Sequence, residues 1–122
     1  MKNLLILICF LAAAGGEGEA RADLTVKDYQ TRIASADAGI VASTQIYIQG
    51  LGDGFAWANT AAKEPVYCEP PHLGLALANY LNIIDKRITF MSKVWPAAKL
   101  GSSSVGLMLL GGLKATFPCN TK

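Results

Sequence analysis

The stretch SSVGLMLLGGLKATFPC, Ser103–Cys119, decides how the chain is read. Val105, Leu109, Leu113 and Phe117 recur at every fourth position, with Met108 and Leu110 beside them, which is the apolar stripe of a helix pressed into a core. Ser102, Ser103 and Ser104 are cap candidates at its start, and Pro118 stops it. Cys119, just past the stop, requires a partner. Cys9 falls in an N-terminal leader, so within the mature chain only Cys68 remains. The reading is a C-terminal helix stapled to the turn YCEPP, Tyr67–Pro71.

The leader is read from residues 1–22. Lys2 supplies a positive start, Leu4 to Ala14 an apolar segment, and Ala20-Arg21-Ala22 a small-x-small cleavage site. The apolar segment is too short to span a bilayer, so the expectation is a cleaved signal peptide and no membrane association afterwards. The mature domain then covers residues 23–122. In an oxidising compartment a Cys68–Cys119 disulfide is the expected state. Closing a loop of roughly fifty residues contributes about 4 kcal/mol in the chain-entropy estimate, a large share of a small domain's stability.

Upstream, Thr25-Val26-Lys27-Asp28 has the form of a capping box, and Val26, Tyr29 and Ile33 share a helical face. A first helix is expected from about Thr25 to Ser35. A second follows Gly39, with Ile40, Thr44, Tyr47, Leu51, Phe55 and Ala58 on one face to about Asn59. Trp57 lies on this helix and is read as a core residue. Gly50, Gly52 and Gly54 are its weak points, and Gly50 and Gly54 share a face on which another helix could approach. The GLGDG run has no preceding strand and no following lysine-serine pair, so it is not read as a phosphate cradle.

Leu73, Leu77, Tyr80, Leu81 and Ile84 stripe a third helix, with His72 near its first turn and Asp85-Lys86-Arg87 at its end. Phe90, Met91, Val94 and Trp95 then make a short helix before Pro96. The fold class is all-α: about four main helices closed by one disulfide.

Chemistry-bearing residues are scarce. His72 is the single histidine, both mature cysteines are committed to the bridge, and the acids show no spacing of a carboxylate pair. No His/Cys set has zinc spacing. No catalytic residue, metal ligand or cofactor is assigned, and a binding protein is favoured over an enzyme. The net charge is +2 with lysines scattered singly, so nucleic acid is not expected as a partner. The basic and aromatic positions Lys86, Arg87, Lys93 and Trp95 are the proposed partner contacts.

YIQGLGDGFAWAN (Tyr47–Asn59), YCEPP (Tyr67–Pro71), NYL (Asn79–Leu81) and LLGGLKATFPC (Leu109–Cys119) together resemble the Rap/Tai immunity proteins of type VI secretion. The resemblance covers nearly all of the mature chain. It rests most on YC-x-P followed some fifty residues later by a terminal FPC. It implies a small helical periplasmic protein, often dimeric, that binds an injected peptidoglycan amidase and blocks its cleft without being a catalyst. Cys68 and Cys119 match the family's cysteine positions, and Pro70, Phe117 and Pro118 its flanking framework. The segment Ile83 to Gly101 is longer and more basic than the family pattern, and a variable segment is where partner specificity resides. A periplasmic chaperone or carrier of small apolar ligands is the alternative, distinguished by whether Met108, Leu109 and Leu110 line an open pocket.

Overall fold

A computed structural model describes residues 23–120, and the leader read in residues 1–22 lies outside them. Among the described residues are five helices and no strand: α1 (Val26–Ile33), α2 (Ala38–Ala61), α3 (Leu77–Met91), α4 (Ala97–Ser102) and α5 (Val105–Thr116). This is the expected all-α domain, with the short α4 added to four main helices. The Cys68–Cys119 disulfide is formed, with the two Cα atoms 4.9 Å apart.

Helices α1 and α5 begin as their sequences indicate. Thr25 Oγ1 accepts from the Asp28 amide at 3.1 Å, and Ser104 Oγ accepts from Gly106 and Leu107 at 3.0 and 3.4 Å. Ser103, by contrast, caps the end of α4, its hydroxyl donating to the Lys99 carbonyl at 2.7 Å. The two starts are also tied to each other. Val26 N–H donates to Ser103 O and Val105 N–H to Leu24 O, both at 2.8 Å, forming an isolated antiparallel bridge between Thr25 and Ser104. Amides that a helix start leaves without an internal partner are thus satisfied in reciprocal fashion.

Helix α2 runs unbroken through Gly50, Gly52 and Gly54, capped by Asp37. The expected close approach at Gly50 and Gly54 is not present; a Cβ at either would meet open space. Gly52 is instead the contact point, and a Cβ there would run into the ring of the buried Tyr80 on α3. Trp57, expected in the core, is 77 % exposed. The stripe Thr44, Ile48 and Gly52 is the one that faces inward.

The third helix starts four residues later than its apolar spacing suggests. Pro70 and Pro71 lead into a turn closed by Leu73 N–H to Pro70 O at 3.2 Å, and His72 takes a left-handed φ of 68° there. Leu73 is therefore outside the helix and 45 % exposed. At its other end α3 does not stop at Asp85-Lys86-Arg87 but continues to Met91. Asp85 is accommodated because the Tyr29 hydroxyl of α1 donates to it at 3.1 Å. The short helix expected before Pro96 is replaced by a turn over residues 92–95, and α4 follows the proline. Proline at a helix start gives up only an amide with no internal partner, whereas the residue before it is pushed out of helical geometry.

Helices α3 and α5 share the largest interface. Gly112 permits it: a Cβ there would strike Ile83 Cγ2 and lie 3.1 Å from the Ile83 carbonyl. Ile83, Ile84, Ile88, Met108, Leu109 and Leu113 are buried around this contact, and Val26 and Tyr29 of α1 and Ile48 of α2 complete the core. At the far end of α5, Cys68 N–H donates to Phe117 O at 2.8 Å beside the disulfide. Asn59 holds the same strap to α2, accepting from Val66 at 2.7 Å and donating to Tyr67 O at 2.7 Å.

Two predictions separate these contacts. Gly112→Ala and Gly52→Ala each lower unfolding free energy by about 1–3 kcal/mol through overpacking, while Gly50→Ala and Gly54→Ala leave it unchanged or raise it by up to about 1 kcal/mol; denaturant unfolding reads all four. Cys68→Ser with Cys119→Ser lowers it by about 4 kcal/mol, given the 51-residue separation; a loss below about 1 kcal/mol would mean that the backbone ties alone hold the strap.

Candidate functional site

The junction of α3 and α5 also holds two of the predicted contact residues, Lys86 and Arg87. A groove of about 270 Å³ is lined by Ile83, Lys86, Arg87 and Phe90 of α3 and by Gly112, Ala115 and Thr116 of α5. Arg87 crosses toward α5 because Gly111 has no side chain: a Cβ there would stand 3.0 Å from Arg87 Nε. The guanidinium carbon lies 5.3 Å from the centroid of the Phe90 ring, in cation–π range. Arg87 Nε is buried with no hydrogen-bond partner among the described residues. The cation is thus held in place by packing against glycine and an aromatic ring, with its nitrogen stem removed from water.

Phe90 itself is 54 % exposed, and Val94, one turn beyond, is 59 % exposed. Lys86 and Phe90 stand one turn apart on α3, and Lys93 sits in the turn that follows the end of the helix at Met91. Lys86 and Lys93 are exposed. Together these residues form a basic, aromatic edge on rigid elements. Such an edge can bind a carboxylate or carbonyl group flanked by apolar atoms.

Trp95 is placed apart from this edge. It packs partly buried against the core on the side of α1 and α4, beside Val26, Gln30 and Leu100, with Lys99 Nζ 4.5 Å from its ring centroid. The four predicted contact positions therefore divide: Lys86 and Arg87 in the groove, Lys93 in the turn after α3, Trp95 against the core. Phe90, the residue that completes the groove, is expected in a short helix before Pro96; it lies instead on α3, which continues past Arg87, and is exposed. The other missed surface is on α2, where Ile46 (73 % exposed) and Trp57 flank Gly50 and Gly54. Apolar residues line both faces of α2, so periodicity alone could not say which face is buried.

Next to Cys68 of the disulfide, Tyr67 is buried and its hydroxyl has no partner among the described residues. Burial first, then the neighbouring Glu69 and Tyr80, push its pKa from the ordinary value of 10.0 up to about 12. Burial raises Glu69 as well. Burial, followed by Asp53 and Glu69, raises Tyr80, and burial, followed by Asp85, raises Tyr29. His72 stands exposed in its turn. Among the described residues no three His, Cys, Asp or Glu side chains gather where they could hold a metal ion.

Compared with known proteins, the chain matches no family model, no curated protein and no solved structure.

The tyrosines fix the direction of the pH dependence. A phenol whose pKa is raised by folding keeps its proton more tightly in the folded state, so the associated stability is whole below pH 10 and is lost as pH climbs through about 12. In alkaline titration the tyrosinate absorbance of Tyr29, Tyr67 and Tyr80 should therefore appear together with the loss of helical circular dichroism, not before it. Tyr67→Phe removes a buried hydroxyl without a partner and should raise unfolding free energy by about 1 kcal/mol at neutral pH. A loss of stability in that variant would mean that the hydroxyl is satisfied.

Proposed function

We propose that the protein is a periplasmic immunity protein, which binds a type VI secreted peptidoglycan amidase and occludes its active-site cleft, protecting the producing cell. The support from sequence is the leader read in residues 1–22, the paired cysteines, and the resemblance of the four quoted motifs to the Rap/Tai proteins. The structural observation that carries the reading is the Arg87–Phe90 groove. A partly buried arginine whose guanidinium lies over an exposed aromatic ring, held by two packed helices, has the makeup of an interface anchor. The turn at residues 92–95, bearing Lys93 and the exposed Val94, is the segment that would enter the enzyme's cleft. Occlusion of this kind needs no catalytic group on the inhibitor. A homodimer is compatible with it and is part of the proposal.

The carrier alternative draws less support. Met108 and Leu109 are 2 % and 0 % exposed and belong to the packed core. Leu110 lines an apolar cleft with Phe55, Ala58, Val66 and Tyr67, but its volume is about 180 Å³. Small-molecule sites usually start near 300 Å³.

The experiment is a pull-down with the oxidised mature protein from the periplasm, followed by peptidoglycan hydrolysis by any enzyme retained. An amidase whose activity falls to background at one equivalent is the expected result. Arg87→Ala and Phe90→Ala should each weaken the complex at least tenfold, chiefly through faster dissociation, and Lys93→Ala should slow association and flatten its salt dependence. Retention of unfolded clients or apolar ligands in place of an amidase would move the chaperone or carrier reading ahead.

A further inference from the structure

A second cleft lies between α1 and α2 and shares no lining residue with the α3–α5 groove. It is a cleft of about 490 Å³ whose lining includes Asp23, Asp28, Arg32, Ser43, Thr44 and Tyr47. Its volume falls within the range of small-ligand sites. Its makeup differs sharply from that of the groove: no aromatic ring over a cation, but an arginine, two carboxylates and several hydroxyls facing one space.

The floor of the cleft is built from a buried polar group. Thr44 is 1 % exposed, and its hydroxyl donates to the Ile40 carbonyl at 2.8 Å. The same oxygen accepts from Arg32 Nε at 3.3 Å. That bond orients the guanidinium and leaves its Nη1 and Nη2 edge as the fork a ligand carboxylate can take in two parallel hydrogen bonds. Asp28 stands one helical turn before Arg32 on the same face of α1. At the other end, the Tyr47 hydroxyl donates to Asp23 Oδ1 at 3.4 Å and accepts from the Leu24 amide at 3.5 Å. Both distances are at the long end of the hydrogen-bond range, so a ligand amine or hydroxyl can compete for this corner.

Charge selects the ligand class. Arg32 stands beside the Asp28 carboxylate on α1, and Asp23, read as the first residue of the mature chain, carries the α-ammonium next to its own carboxylate, so the lining holds both signs of charge. A simple anion such as phosphate meets Arg32 but is repelled by Asp28, and a simple cation meets the reverse arrangement. A small molecule with a carboxylate and an ammonium group close together satisfies both neighbours at once. We infer that the α1–α2 cleft is a binding site for a free α-amino acid, its carboxylate on Arg32 and its ammonium group on Asp28.

The test uses the full chain, processed as the cell delivers it, isotopically labelled, and titrated with glycine, L-alanine and D-alanine while backbone amide shifts are followed by NMR. Saturable shifts centred on residues 23–32 and 43–47 are expected with at least one of the three. N-acetylalanine, which lacks the ammonium group, and alaninamide, which lacks the carboxylate, should bind at least tenfold more weakly. Arg32→Gln should weaken binding at least tenfold. Because Arg32 also bonds to Thr44, the exposed Asp28→Asn serves as the second variant, and it should weaken the amino acid while leaving acetate unaffected or improved. Absence of saturable shifts with all three amino acids overturns the proposal, as does a response to acetate equal to that of alanine, or binding that survives Asp28→Asn unchanged. None of these outcomes depends on whether an amidase is retained by the α3–α5 edge.

Discussion

The close contact of Gly112 with Ile83 is the constraint on which the rest of the domain depends. Two helices can come this near only where one has no side chain, because a Cβ at Gly112 would collide with both the side chain and the carbonyl of Ile83. The approach buries Ile83, Ile84, Leu109 and Leu113 against one another, and the close packing of that layer leaves no slack for a larger residue. Helix α5 is then held at both ends: by the reciprocal backbone bridge to the start of α1, and by the disulfide with its adjoining bond from Cys68 to Phe117. A helix of 12 residues is too short to be stable alone, so these ties convert a marginal element into the centre of the fold.

The same pair of glycines gives the surface its character. Gly112 brings the backbones together, and Gly111 leaves the room into which Arg87 turns. The arginine is thereby held on the Phe90 ring instead of waving in solvent, and part of the entropy of ordering it is already spent in the free protein. Rigid placement of a cation and an aromatic ring is what an interface anchor needs. The α1–α2 cleft is built on a different principle, with a buried threonine accepting from an arginine that lines the same space as two carboxylates.

Much of this was legible in local pattern. The Thr25 and Ser104 caps, the stop at Pro118, the continuity of α2 and the pairing of Cys68 with Cys119 follow from residue chemistry acting within a few positions, or from there being a single available partner. The errors fall where local signals were equivocal. Leu73 fits the stripe of α3, but two prolines and a left-handed His72 hold it outside the helix. Lys86 and Arg87 read as an end signal beside an Asp85 of the wrong sign, yet α3 continues, and Tyr29, 56 positions away, hydrogen-bonds Asp85. Phe90 and Trp57 are apolar and helical, and nothing in their own neighbourhood says that they face outward.

The sequence by itself determined the class of fold, the number of main helices, most of their ends and the covalent staple, because periodicity, capping and proline geometry are short-range physics. Only the tertiary structure decided which glycine of α2 meets a neighbour, that Gly52 and not Gly50 or Gly54 does so, and that Lys86 and Arg87 share a groove from which Trp95 is absent. Those outcomes depend on which of two apolar helix faces finds a partner. That choice is made by the packing of the whole core and is encoded at no single position.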